Sequence, residues 1–172
     1  MKAAADLVRF LESRQVACAV MGGAALAVHG VARATVDIDL LTAAGEVLDP
    51  GFWAGFSSPL PPEIRRGDAD DPIAGVCRWA SIDPPVDLVV AKGEWIELAL
   101  RRREWLEVEG LRLPVVTAAD LVLLKLAAGG PQDLLDVRLL VARDPAPLRA
   151  EVERSLALLP PQVAALWASL SA

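Results

Sequence analysis

Three aspartates and a glycine pair are the residues of this chain whose types and spacing could do chemistry together. Asp37 and Asp39 flank Ile38 in the run VDIDLLT, Asp87 lies in PVDLVV, and Gly22-Gly23 follows the apolar run VACAVM. Side chains of a strand alternate between faces, so Asp37, Asp39 and Leu41 fall on one face and Val36, Ile38 and Leu40 on the other. The apolar face packs on a core. The acidic face crowds two carboxylates, which repel each other unless a cation or hydrogen bonds compensate. One reading is a solvated polar sheet face. The other is a site for a hard cation such as Mg²⁺, which prefers oxygen ligands, with Asp87 as a third carboxylate if its strand lies alongside. A glycine pair between a strand and a helix lets a ligand approach the backbone, and the N–H groups of the helix start suit an anion. Three carboxylates beside such a turn meet the needs of two-ion phosphoryl transfer, in which ions ~3.5–4 Å apart activate a hydroxyl and stabilise leaving pyrophosphate.

The elements that must hold these residues follow from periodicity and punctuation. Residues 3–14 read as an amphipathic helix, with Leu7, Phe10 and Leu11 at helical spacing. Residues 16–21 read as a strand buried on both faces, 24–29 as a short helix stopped by Gly30, and 36–41 as the acidic strand. From Glu46 to Asp71 prolines and GDADD mark loop, with Phe52, Trp53 and Phe56 anchoring a short helix. Residues 76–82 and 86–90 read as strands, 94–102 as a helix, and 106–108 with 111–116 as a hairpin about Gly110. Thr117 is an N-cap for a helix over 118–128, Gly129-Gly130-Pro131 ends it, and 132–142 starts another. The order does not alternate as a doubly wound parallel sheet would. It predicts an α+β fold, a mixed β-sheet flanked by helices, with residues 1–116 as the core and 117–172 as a helical C-terminal region packed on it.

Composition narrows the function classes. A net charge of −6 argues against a general DNA or RNA binder, whose footprint is basic. The run Arg101-Arg102-Arg103 reads as a solvated helix end. At 54% apolar residues the chain can build a core and is too apolar for disorder. No apolar run reaches the ~18 residues of a membrane span, and the charged start MKAAADLVRFLESR does not read as a secretory signal. Cys18 and Cys77, in apolar strands with no CxxC partner, read as reduced buried thiols. A cytoplasmic protein that does not engage membranes is expected.

The spacing of these motifs is similar to that of a known superfamily. Gly22-Gly23, thirteen intervening residues, Asp37-Ile38-Asp39 and later Asp87 resemble the active-site signature of the nucleotidyltransferases that include DNA polymerase β. MGGAALAVHGVARATVDIDLLT and TAADLVLLKLAAGGPQDLLDVRLL further resemble the minimal bacterial group related to the AbiEii abortive-infection toxins. The resemblance implies transfer of NMP from an NTP to a hydroxyl of a protein, RNA or small molecule, with two Mg²⁺ or Mn²⁺ ions and bound NTP. It gives Asp37 and Asp39 both ions, Asp87 the ion that activates the acceptor, and Gly22 and Gly23 the β- and γ-phosphates. The wider superfamily often has serine where this chain has Gly23, at the loss of one hydroxyl contact. Arg33 and Thr35, ahead of the acidic strand, and Lys125 with Asp133 or Asp136 would border the nucleotide. Each also has an ordinary structural reading: Arg33 as a loop arginine, Lys125 snorkelling from an apolar helix face, and Asp133 and Asp136 as surface acids sharing a helical face. His29, the single histidine, either touches nucleotide or caps its helix with Gly30. One of the five tryptophans is free to stack on a base, and the sequence does not pick which. A non-catalytic nucleotide- or partner-binding relative, half of a toxin–antitoxin pair with a partner protein, is the alternative within this resemblance.

Overall fold

A computed structural model describes residues 1–33, 35–143 and 145–171. In chain order the elements are α1 (Lys2–Ser13), β1 (Cys18–Met21), α2 (Gly22–Val28), β2 (Ile38–Thr42), β3 (Glu63–Arg66), β4 (Ile73–Trp79), β5 (Val86–Ala91), α3 (Glu94–Arg102), β6 (Glu104–Val108), β7 (Leu111–Val115), α4 (Ala118–Ala128), α5 (Pro131–Arg143), α6 (Pro145–Ser155) and α7 (Pro161–Ser171). The strands form one mixed sheet in the order β3-β4-β5-β2-β1-β7-β6, with β2–β5 and β1–β7 parallel and the other pairs antiparallel. The expected α+β class, a mixed sheet flanked by helices, is what the chain adopts.

One sheet face is sealed. Ile38, Leu40, Val86, Leu88, Cys77 and Trp79 point into it and are all buried. Phe10 of α1 stacks on Trp53, which meets Trp79 edge-on at 4.7 Å between ring centroids. Aromatic pairs in such geometry add to what burial of their area contributes. The alternate residues Asp39, Asp87 and Val89 are only half-buried, so the second face opens beside the acids. Period-two alternation separates a packed side from a working side within single strands.

Several elements differ from the sequence reading. The acidic strand starts at Ile38 rather than Val36, because pairing begins where Ile38 N–H donates to Pro85 O at 2.9 Å. Val36 is 82% exposed, so it does not share the apolar face of Ile38. The stretch expected to be loop holds strand β3, whose sequence EIRR carries one apolar residue because it lies at the sheet edge with little to bury. The two glycines, read as a break before the helix, are the first residues of α2.

Helix α4 is apolar around most of its circumference and is largely buried, touching α2, α5, α6 and α7. Thr117 Oγ1 accepts from Asp120 N–H at 3.1 Å as its N-cap, and Gly129 ends it with φ +67°. No helix among the described residues is long and apolar enough to cross a membrane.

Candidate active site

Strand register assembles the acids. β2 and β5 run parallel with Asp39 directly beside Asp87, and antiparallel β1 sets Met21 beside Asp39 on its other side. The chain leaves β1 at Met21, so Gly22 lies against the Asp39 carboxylate: a Cβ on Gly22 would come within 2.9 Å of Asp39 Cγ and closer still to Oδ2. Gly22 also has φ +63°, in the left-handed region where side chains are strained. Gly23 makes room in turn for Thr35, whose Cβ would lie 2.8 Å from an added Cβ. The Thr35 hydroxyl reaches both the backbone oxygen (2.9 Å) and Oδ1 (3.2 Å) of Asp37, fixing that carboxylate just ahead of the strand. α2 has only seven residues, so its glycines serve the site chiefly by allowing close approach.

Carboxylate oxygens of Asp37, Asp39 and Asp87 lie within 4.8 Å of one another. Burial, and then the charges of Asp37 and Asp87, push the Asp39 carboxyl up to about 6. Burial also raises Asp87, against the opposing pull of Arg78. Arg78, across the ladder on β4, donates from Nη1 to Asp87 Oδ2 at 2.7 Å, while Asp87 Oδ1 is buried without a hydrogen-bond partner. Hard oxygen donors in a cluster with surplus negative charge, on residues one of which also keeps an orphaned buried oxygen, fit a divalent cation. Arg78 escaped the sequence reading, since in VCRW it looks like any polar residue of a half-exposed strand. Only the register of β4 against β5 gives it Asp87.

The cations expected near nucleotide are already paired. Lys125, 8% exposed, donates to Asp133 Oδ1 at 2.9 Å and lies 2.7 Å from Asp136 Oδ2. Arg33 Nη1 reaches the same Asp136 Oδ2 at 2.8 Å, and Gln132 Nε2 donates to its Oδ1 at 3.2 Å. Asp136 is 1% exposed, so it is not a surface acid. Burial alone would raise its carboxyl, but Lys125, Gln132 and Arg33 together hold it below the usual carboxylate range. α4, α5 and the loop before β2 are thereby tied by one ion network. His29 Nε2–H donates to Val116 O at 2.8 Å, a structural bond between the end of α2 and the residue after β7.

A cavity of about 400 Å³ opens beside the acids. Gly22, Gly23, Arg33, Thr35, Asp37, Asp39, Lys125 and Asp133 all border it, and Asp87 does not. The structure therefore gathers the expected site residues around one hollow, with Asp87 joined to it through Asp39.

No family model matches the chain, and no curated protein matches it in sequence. Solved structures do match it in shape. An antigenic nucleotidyltransferase-like protein from Paracoccidioides brasiliensis superposes with a TM-score of 0.54 at 16% identity, over 96% of this chain and 90% of that one. The antibiotic-resistance factor ANT(2″)-Ia in complex with adenylyl-2″-tobramycin gives 0.58 at 13% identity, over 98% and 97%. Its solution structure gives 0.56 at 12% identity, over 98% and 95%. The fold is nucleotidyltransferase-like. Identities this low establish shape alone, and the chemistry rests on the side chains this nucleotidyltransferase-like fold presents.

Proposed function

We propose that this chain is a metal-dependent nucleotidyltransferase that moves NMP from an NTP to a hydroxyl of a protein, RNA or small-molecule acceptor and releases pyrophosphate. The observation that carries the proposal is the convergence of Asp37, Asp39 and Asp87 within 4.8 Å beside Gly22. In this reading Asp37 and Asp39 hold Mg²⁺ or Mn²⁺ with the triphosphate, and Asp87 completes the acceptor side. Two such ions would activate the attacking hydroxyl and neutralise charge on the leaving pyrophosphate. The chain's own residues supply the rest. Gly22 and Gly23 let the Asp39 carboxylate and Thr35 close against the turn, Thr35 fixes Asp37, and Arg78 holds one oxygen of Asp87. Arg33 and Lys125 border the nucleotide with Asp133. The acceptor oxygen gives its proton to the Asp87 carboxylate and bonds to the α-phosphorus as the α–β anhydride bond breaks to release pyrophosphate, and prearranged charges stabilise that change without reorganising. The resemblance to AbiEii-type proteins supports a cytoplasmic role within a toxin–antitoxin or abortive-infection system.

A second reading is nucleotide or partner binding without transfer. The pairing of Arg33 and Lys125 with Asp136 leaves neither cation unneutralised for phosphate, which supports the partner-binding form of this reading. Incubation with each α-labelled NTP, Mg²⁺ and a cell extract separates the two. Transfer of label that Asp39→Ala abolishes supports the transferase. Nucleotide binding that survives Asp39→Ala, with no acceptor labelled by the unaltered protein, supports the binding module. An absence of NTP binding with metal present would sink both nucleotide readings.

A further inference from the structure

We infer that the apolar end of the cavity receives the base of the nucleotide with Trp95 as its stacking face, so that the site prefers purines and separates adenine from guanine only weakly. The inference rests on the nucleotidyltransferase reading. The cavity has two chemically different ends. Gly22, Gly23, Asp37 and Asp39 form one, and Leu41, Val89, Trp95, Ile96, Leu121 and Leu124 form the other. Leu41 and Val89 lie side by side on the sheet face that carries Asp39 and Asp87, two residues further along each strand. α3 and α4 wall them in.

Position assigns the hollow to the nucleotide rather than the acceptor. The strand order β1-β2-β5 puts Asp87 on the far side of Asp39 from Gly22, and Asp87 does not border the cavity. A hydroxyl delivered beside Asp87 comes in over β4, past Arg78. A triphosphate against Gly22-Gly23 leaves its nucleoside on the cavity side. A volume of about 400 Å³ falls within the ~300–1,000 Å³ typical of small-ligand pockets.

Selectivity follows from what the apolar end lacks. Lys92 at its rim is held by Asp68 O at 3.0 Å and Ala69 O at 2.9 Å, and Lys125 by its two aspartates. Among the described residues that line this end, the Trp95 indole N–H is the one uncommitted side-chain polar group. Side chains there cannot read the hydrogen-bonding edge that separates adenine from guanine, and stacking area decides instead. The indole is seated on Gly93, where an added Cβ would lie 3.2 Å from Cδ1 and 3.4 Å from Nε1. Gly93 has φ +115°, open to glycine and strained for side chains, so the seat of the ring is fixed by backbone conformation.

The test is calorimetric titration of the full chain, in Mg²⁺, with α,β-methylene analogues of ATP, GTP, CTP and UTP and with inorganic tripolyphosphate. The analogues cannot transfer, and tripolyphosphate carries no base. The expected result is tighter binding of both purine analogues than of either pyrimidine, with the two purines within about threefold of each other. Trp95→Ala should weaken the purine analogues roughly 5- to 150-fold, the range of lost base–aromatic stacking, and leave tripolyphosphate unchanged. Trp95→Phe should keep most of the affinity, whereas Trp95→Leu, apolar but without an aromatic face, should lose it as alanine does and decides the matter if the alanine variant does not fold. Equal affinity for all four analogues, unchanged purine binding in the variants that lack an aromatic ring at position 95, or parallel loss of tripolyphosphate overturns the inference while the transferase reading stands. If the unaltered protein binds neither analogues nor tripolyphosphate, both fall together.

Discussion

Replacing Asp39 by asparagine should stabilise the metal-free protein above pH 6, although it removes a residue central to the site. Asp39 titrates at about 6 instead of the ordinary 3.8, chiefly because it is buried and then because Asp37 and Asp87 face it. A carboxyl with a raised folded-state pKa holds its proton more tightly in the native than in the unfolded chain. Its contribution is therefore most favourable below pH 3.8 and is lost as pH climbs through about 6. About two units correspond to about 3 kcal/mol, and partial contact with solvent trims this to about 1–3 kcal/mol. For a chain of this length that is a shift in Tm of about 2 to 12 °C. Asparagine keeps the shape and carries no charge to desolvate.

The assay is thermal unfolding of both proteins in EDTA and in Mg²⁺, at pH 5 and pH 8. At pH 8 in EDTA the variant should melt higher than the unaltered protein, and at pH 5 the gap should shrink. Mg²⁺ should raise the Tm of the unaltered protein at pH 8 and leave the variant nearly unmoved, since a ligand stabilises only the state that binds it. A variant that melts lower at pH 8 in EDTA, or a gap of the same size at both pH values, would refute the electrostatic account of this cluster.

Two further outcomes test the supports of the site. Gly22→Ala puts a side chain into the Asp39 carboxylate at φ +63°, so Tm should fall by about 2 to 8 °C for about 1–2 kcal/mol of backbone strain, and the Mg²⁺-induced Tm shift should disappear with the displaced acid. Lys125→Met leaves Asp136 buried with half its cationic partners, at a cost of about 3–5 kcal/mol at pH 7 in denaturant unfolding. Because the Asp136 carboxyl is held low in the fold, its contribution is present above its unfolded pKa and lost as pH falls through the lower folded value, so the cost should shrink in acid.

What the sequence disclosed depended on whether a signal was local. The glycine pair, the D-x-D and the Thr117 cap are read from neighbouring residues; the cap forms as expected, while the strand begins one residue after Asp37 and the glycines open α2 instead of preceding it. β3 was hidden because an edge strand with one half-buried apolar residue lacks the alternation that marks a strand. Arg78 was hidden for another reason: it is ordinary in its own segment and acquires meaning from Asp87, 9 residues away. Asp136 was named beside Lys125, but its bond to Arg33, 103 residues away, and its burial come only with the fold. The choice among tryptophans likewise waited for the fold, which sends Trp53 and Trp79 into the aromatic core and Trp95 to the cavity.

Charge accounting across the site separates residues that await a ligand from residues that hold the scaffold. Arg33 and Lys125 meet Asp133 and Asp136, two positive charges against two negative, with every partner within 2.9 Å. That network is complete in itself and closes α4 and α5 onto the loop before β2. Among the described residues Asp37, Asp39 and Asp87 pair only with Arg78, three negative charges against one positive, and one buried oxygen of Asp87 has no hydrogen-bond partner. The surplus lies where two parallel strands and a glycine turn fix the carboxylates, so the acids cannot relieve their repulsion by moving apart. A divalent cation would cancel that surplus, and protonation of Asp39, whose carboxyl is pushed up to about 6 by burial first and then by Asp37 and Asp87, relieves part of it. A solvated polar sheet face, the ordinary reading of VDIDLLT, would not have needed Gly22 stripped of its side chain to press an acid against its neighbours.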